Sequence, residues 1–222
     1  MSGGRWPRAQ RVTVLLALVP ALTAGCGSGG QGTRTAAGST PSGPATAEEL
    51  EPFVVDEVPS GLPRLPDEAL SPPAGAKRVE DVAGYADDPA RERAVLGDYG
   101  YRYGWERFWG AGTGSGPQTG VFVDRFDRPS GAEAYAEDLA RNDAEHYGGM
   151  LSEGSPELPD GCHRLLVDEA RPAQGLSGPA AFAWCARGTF SVSVSAIAGT
   201  LDAASAEVAA VVAAQLDRLP AA

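Results

Sequence analysis

The chain has 222 residues, of which 43% are hydrophobic and 21% charged, and its formal net charge is -11. A chain this acidic lacks the basic patch that nucleic-acid binding requires, so we expect no nucleic-acid partner. The length suits a single domain of ordinary size together with shorter segments outside it.

Residues 1–25 have the layout of an export signal. Arg5, Arg8 and Arg11 precede an apolar run over residues 12–22. This run is too short to cross a bilayer as a helix, because a span needs about 20 apolar residues. Small residues follow it, so the segment predicts a secretory signal peptide.

The first cysteine follows this segment directly, in the order Leu22-Thr23-Ala24-Gly25-Cys26. This stretch resembles the lipobox of bacterial lipoproteins, although Thr23 departs from the aliphatic residue usual at its position. The resemblance implies that the thiol of Cys26 is acylated and that the signal is cut before it. Acyl chains would then hold the protein on the outer face of the cell membrane, at roughly 0.8 kcal/mol per buried methylene. The alternative is an ordinary secreted protein with a chance cysteine.

The segment after Cys26 is rich in Gly, Ser, Thr, Ala and Pro and has no aromatic residue up to residue 50. Such a composition cannot bury enough apolar surface to fold, so residues 26–50 are expected to be a disordered tether. Residues 51–222 are then a single extracytoplasmic domain. Its first part, residues 51–80, contains many prolines and predicts an extended arm, with a short strand at residues 53–55.

Helices and strands follow in a regular order. A helix is expected from Asp88 to Gly97, then strands at residues 101–109 and 121–126, then a helix capped by Ser130. Gly110 to Gly120 would be the loop between the two strands.

The second half begins with a strand at residues 165–167, after a polar turn region at residues 148–161. A hairpin then joins residues 180–186 to residues 189–197, in which serine alternates with apolar residues. With a two-residue turn, Phe182 and Trp184 would lie on the serine face of this hairpin. Large aromatic residues on the serine face would require that face to be covered as well. The alternative is a turn with one more residue, which would move Phe182 and Trp184 to the other face. A last helix is predicted over residues 202–218.

This order predicts an α+β fold, an antiparallel sheet built from two hairpin-helix halves with both main helices packed on one face. The layout is similar to that of small extracytoplasmic α+β modules on actinobacterial lipoproteins and kinase sensor domains.

Besides the predicted acylated Cys26, the mature chain has two cysteines, Cys162 and Cys185. An oxidising compartment and an even count predict one disulfide, which would close a loop of about 23 residues and contribute roughly 3 kcal/mol in the chain-entropy model. A metal-binding or reactive thiol is the alternative, but neither cysteine belongs to a C-x-x-C pair.

No motif predicts a catalytic, cofactor or metal site. Gly175-Leu-Ser-Gly-Pro179 comes close to a nucleophile elbow, but its last residue is Pro and a strand follows it. The glycine-rich loop at residues 110–116 joins two strands, whereas a phosphate site needs a helix N-terminus. His146 and His163 are the only histidines and have no ligand spacing.

Four aromatic residues occupy odd-numbered positions of the predicted strand at residues 101–109, so their side chains would lie on one face: Tyr101, Tyr103, Trp105 and Trp109. They could either stack on a ligand or fill the core. We therefore expect a non-catalytic, lipid-anchored protein that binds a partner protein or an envelope ligand such as a glycan. The alternative is an envelope enzyme whose site is not visible in the sequence.

Overall fold

The computed structural model describes residues 43–112 and 116–220, so the predicted signal and Cys26 lie outside the described residues. The strands are β1 Gly75–Lys77, β2 Tyr101–Gly110, β3 Gln118–Phe126, β4 Met150–Glu153, β5 His163–Val167, β6 Ala180–Arg187 and β7 Phe190–Ile197. The α-helices are α1 Ala47–Leu50, α2 Val79–Ala83, α3 Pro89–Tyr99, α4 Pro129–Tyr147 and α5 Leu201–Arg218. Short 3-10 turns occur at Glu51–Phe53, Asp67–Ala69 and Pro172–Gln174.

The strands form a seven-stranded sheet in the order β1-β2-β3-β7-β6-β5-β4, and every neighbouring pair is antiparallel. The predicted α+β class with an antiparallel sheet is therefore confirmed. None of the helices in the described ranges is long and apolar enough to cross a membrane.

The placement of the two long helices differs from the prediction. Val208 and Val212 of α5 pack in one core cluster with Val192 of β7. Tyr135 and Leu139 of α4 belong to a second cluster on the other side of the sheet. Both helices were expected on one face, but the sheet is covered on both, because neither of its faces is polar enough to be left in water.

The hairpin of β6 and β7 explains this arrangement. Its register pairs Arg187 with Phe190, so the turn contains two residues, Gly188 and Thr189. Phe182 and Trp184 therefore do lie on the serine face. Large aromatic side chains on that face need cover, and α4 provides it.

The predicted tether and arm are more ordered than expected. Helix α1 lies within the predicted tether, and its Leu50 is fully buried. Residues 53–55 are not a strand: a 3-10 turn ends at Phe53, and Val54 and Val55 are buried against the α5 face. Strand β1 lies in the predicted Pro-rich arm and pairs with β2. The domain thus begins before residue 51.

A buried arginine holds the arm to the sheet. Arg107 of β2, 1% exposed, donates hydrogen bonds to the carbonyl oxygens of Val54 and Val55 at 3.1 and 2.9 Å. Its guanidinium also contacts Asp56 at 3.3 Å and Glu51 at 3.2 Å. Burial lowers the pKa of Arg107, and the two carboxylates oppose that effect.

Helix α5 holds the same stretch of the arm from the other side. Gln215 accepts a hydrogen bond from the amide of Val55 at 3.0 Å and donates one to the carbonyl of Phe53 at 2.8 Å. Arg218 lies 2.8 Å from Asp56. The arm is therefore part of the packed core rather than a loose extension.

Two local predictions are corrected at helix and strand ends. Helix α3 continues past Gly97 to Tyr99, and its C-cap Gly100 adopts the left-handed conformation (φ 78°) that glycine favours. Helix α4 is not capped by Ser130; its N-cap is Arg128, and Pro129 occupies the first turn. The predicted turn region at residues 148–161 contains the edge strand β4.

Cys162 and Cys185 form a disulfide across 23 residues of sequence, as predicted. Both cysteines are buried in the cluster on the α5 face. The bond links the segment before β5 to the middle of the sheet and constrains the unfolded chain.

Replacing Trp109 with Ala should lower the free energy of unfolding by about 3 to 5 kcal/mol, because the indole is 1% exposed and its loss leaves a cavity in the α5-side core. Denaturant unfolding of the purified protein measures this. Met150→Ala is the matched control, since Met150 is 71% exposed and its replacement should change stability by no more than about 0.5 kcal/mol. A loss below about 1 kcal/mol for Trp109→Ala would contradict the core assignment.

Candidate ligand site between the sheet and helix α4

A cavity of about 90 Å³ lies between the serine face of the sheet and helix α4. It is large enough for ordered water or for the end of a small organic molecule. Strands β2, β3, β6 and β7 form its floor. The exposed loop residues Ser71 and Pro72 line its mouth, where it opens to the surface.

Small residues in the floor create this space. Ser195 of β7 lies between Gly120 of β3 and Phe182 of β6 in the sheet register. The ring of Phe108 lies over Gly120: a β-carbon added at residue 120 would come within 2.9 Å of that ring and 3.0 Å of the Ser195 hydroxyl. Glycine therefore lets the aromatic ring lie close to the sheet, and serine leaves room beside it.

Aromatic side chains form the walls. Tyr147 of α4 stacks on Phe182 at a ring separation of 4.8 Å, and Phe182 is nearly parallel to Trp184 at 5.9 Å. On the other side, Phe108 meets Phe122 edge to face at 5.3 Å. Such paired rings are held in fixed positions by their contacts, so the walls are preformed.

Three serine hydroxyls lie on this face of β7 and are almost completely buried: Ser191, Ser193 and Ser195 are 0%, 7% and 5% exposed. None of the three has a hydrogen-bond partner among the described residues. Ser193 and Ser195 line the cavity, whereas Ser191 does not. Since a buried hydroxyl without a partner costs free energy, these two side chains are available to a molecule in the cavity.

A buried ion pair supplies one of the charges at the cavity. Glu106 of β2 lines it, and its carboxylate lies 3.5 Å from the ammonium of Lys77 on β1, with both side chains 5% exposed. Lys77 also donates to the carbonyl of Pro73, and Tyr85 donates to Glu106 at 2.9 Å. The pairing compensates for removing these charges from water.

Asp143 of α4 supplies a second carboxylate to the lining. Burial raises the pKa of Tyr147 well above its usual value, and the charge of Asp143 raises it further. The phenol of Tyr147 therefore stays protonated and can donate a hydrogen bond at any physiological pH.

The aromatic strand proposed from the sequence as a ligand surface lies mostly in the core. Trp105 and Trp109 pack in the cluster on the α5 face and are 7% and 1% exposed. Tyr103 packs against the same cluster and donates to the carbonyl of Pro44. Tyr101 lies in the other cluster, because the register shifts between residues 101 and 103. The four rings do not share one face.

The other residues considered in the sequence are not brought together. Ser177 donates to the carbonyl of Gly116 at 3.3 Å, as a turn residue would. His146 lies near the end of α4 and contacts Tyr147, whereas His163 begins β5. No group of three or more His, Cys, Asp or Glu side chains in the described ranges could hold a metal ion.

Sequence reasoning missed the residues that line the cavity. The signal was present in the serine alternation of β7, because Phe182 and Trp184 fall on the serine face when the turn has two residues. When serines pair across the strands with large aromatic residues on a covered face, they indicate a partly polar pocket. Glu106 and Asp143 carried no such signal, since they lie on elements far apart in sequence.

The domain is thus an α+β module with an aromatic-walled cavity on one face of an antiparallel sheet. The chain belongs to the family described as "Domain of unknown function (DUF7373) N-terminal", whose model matches residues 62–222. No curated protein matches the chain. Among solved structures, the chain is similar to the extracellular domain of PknH from Mycobacterium tuberculosis, with a TM-score of 0.41 and 16% sequence identity, over 56% of this chain and 69% of that one.

Removing the hydroxyl of Ser193 or Ser195 should leave the protein as stable as before, or stabilise it by up to about 1 kcal/mol, because each hydroxyl is buried without a protein partner. Denaturant unfolding of Ser193→Ala and Ser195→Ala tests this.

The control is a buried hydroxyl that does have a partner. Thr119 donates to Glu207 at 3.0 Å on the other face of the sheet. Thr119→Val keeps the shape but should cost about 1.5 to 3 kcal/mol. If Ser195→Ala were as destabilising as Thr119→Val, the serine hydroxyls would belong to a structural network instead of an open site.

Proposed function

We propose that this protein is a lipoprotein anchored to the outer face of the cell membrane through Cys26, and that its domain binds a small envelope ligand without catalysing a reaction. The observation that carries the binding role is the cavity floor, where Ser193 and Ser195 are buried without protein partners beside aromatic walls.

Two observations support the extracytoplasmic location. The stretch Leu22 to Cys26 resembles a lipobox and follows a basic and apolar segment. The disulfide between Cys162 and Cys185 suits an oxidising compartment, where such bonds form and persist. Once the signal is removed, 15 of the 18 basic residues remain against 29 acidic ones, a net charge of -14. Acyl chains would therefore hold the domain at the membrane without help from anionic headgroups, which repel it.

The geometry favours binding over catalysis. A serine nucleophile needs a general base within hydrogen-bond distance. The hydroxyls of Ser191, Ser193 and Ser195 make no hydrogen bond to a histidine or a carboxylate in the part of the chain that the structure describes. The cavity therefore offers recognition groups without an activated nucleophile.

The Cys26→Ser variant should lose all fatty-acid label in cells fed a labelled fatty acid, because the acylated thiol is gone. Gel autoradiography of the immunoprecipitated protein measures the label. Cys185→Ser is the matched control, since it removes a thiol of the domain and should keep full label. Equal label in Cys26→Ser and the unaltered protein would overturn the anchor.

Toluene should bind with part of its ring in the cavity and the rest in the mouth, because an apolar ring suits the aromatic walls and needs no hydrogen bond. With 5-fluorotryptophan in the mature chain held in zwitterionic nanodiscs, the fluorine resonance of Trp184, which lines the cavity, should shift on titration. The resonances of Trp105 and Trp109, on the opposite face, should not.

Two variants of the same strand make this binding test specific. Ser195→Val adds carbon atoms inside the cavity and should abolish the shift of the Trp184 resonance. Ser191→Val makes the same change on the same face at a residue that does not line the cavity, and should retain the shift. No shift in the unaltered protein, or equal shifts of all three resonances, would overturn the ligand site.

A further inference from the structure

Two hydroxyl groups in the cavity floor are two residues apart on one strand. Ser193 and Ser195 line the cavity, are 7% and 5% exposed, and have no hydrogen-bond partner among the described residues. Alternate residues of a strand lie about 6.7 Å apart, and their side chains stand roughly perpendicular to the sheet. A hydrogen bond between two oxygens is only about 2.7 to 2.8 Å long, so one ligand atom cannot bond both hydroxyls at this spacing. The floor therefore suits a ligand with two polar atoms.

Ser193 lies between two aromatic side chains. The sheet register pairs it with Phe122 of β3 on one side and with Trp184 of β6 on the other. Strands β3 and β6 are separated by two strand spacings, which is about 9.6 Å. Because carbon atoms in contact lie about 3.5 to 4.0 Å apart, this gap suits one flat ring that stands on its edge. A puckered, saturated ring is thicker and fits less well.

Ser195 has a similar setting two residues further along the strand. Phe182 of β6 lies beside it, and on its other side the ring of Phe108 covers Gly120. Both hydroxyls would therefore face the edge of the same flat ring, one near each end. A serine hydroxyl can donate as well as accept, so it can bond either a ring carbonyl or a ring hydroxyl.

We propose that the cavity binds a flat ring that carries oxygen atoms at opposite positions, as a hydroquinone or a quinone does. This proposal rests on the proposed function, because it names the chemistry of the ligand bound in that cavity. One oxygen bonds the hydroxyl of Ser193, the other bonds that of Ser195, and the ring faces contact the aromatic walls. Substituents of the ring leave through the mouth beside Ser71 and Pro72.

Hydroquinone and catechol test the spacing, because these isomers contain the same atoms. The two hydroxyls are opposite in hydroquinone and can reach both serines, whereas in catechol they are adjacent and reach one. Each isomer is titrated under argon into the mature chain in zwitterionic nanodiscs, and the fluorine resonance of Trp184 reports its dissociation constant. Hydroquinone should bind at least about fivefold more tightly than catechol, which matches one additional hydrogen bond to a buried group.

A saturated analogue tests the requirement for a flat ring. In trans-1,4-cyclohexanediol the two hydroxyls are also opposite, but the ring is puckered and has no aromatic faces. It should bind at least about threefold more weakly than hydroquinone, because it loses the stacking contacts with the aromatic walls.

The variants assign the preference for hydroquinone to named atoms. Ser193→Ala and Ser195→Ala should each weaken hydroquinone about fivefold and remove its advantage over catechol, since either isomer then bonds the one remaining hydroxyl. Ser191→Ala is the matched control and should retain the full advantage, because Ser191 does not line the cavity. Each probe partitions into the bilayer equally for every variant, so a change between variants reports the cavity alone.

The outcomes separate this proposal from the function on which it rests. Equal binding of hydroquinone and catechol, with toluene still bound, would overturn the ligand chemistry and leave the ligand site standing. An advantage of hydroquinone that persists in both cavity variants would do the same, and so would equal binding of the saturated diol. Failure of every probe, toluene included, would overturn the ligand site itself and leave the space to water.

Discussion

The central strand β7 is buried along its whole length on both faces, and the rest of the domain is arranged around that constraint. It lies between β3 and β6, with Phe190, Val192, Val194 and Ala196 on one side and serines on the other. A strand without a solvent face needs packing partners on both sides. Helix α5 and the arm cover the apolar side, and α4 covers the serine side. The three-layer arrangement follows from this requirement.

The two covered faces are packed for different purposes. The α5 face is filled by Val192, Val208 and Trp109, and the disulfide and the Arg107 contacts hold it together. The α4 face combines serine and glycine with large rings and so encloses a cavity. The packing of the filled face offsets the free-energy cost of the open space and the buried polar groups on the other face.

Periodicity was enough to predict most elements of the second half. The serine and valine alternation predicts β7, and the apolar positions of residues 202–218 predict α5, because each has a clear period. The prediction that both long helices pack on one face of the sheet was wrong. Serine is a common solvent-facing residue, and the burial of the serines of β7 depends on α4, which ends 44 residues before Ser191. The prediction that Tyr101 and Trp105 lie on the same face of β2 was wrong for another reason. The register shifts between residues 101 and 103, and periodicity does not reveal such a shift.

The candidate site depends on contacts that no local pattern contains. Glu106 comes from β2, Asp143 from α4 and Ser195 from β7, and only the fold brings them to one cavity. Local reasoning found no chemistry in any of them because each, taken alone, is an ordinary strand or helix residue. Alanine in place of Ser193 and Ser195 would pack the same floor without a buried hydroxyl to satisfy. The polar floor therefore makes physical sense with a guest that supplies the missing hydrogen-bond partners of Ser193 and Ser195.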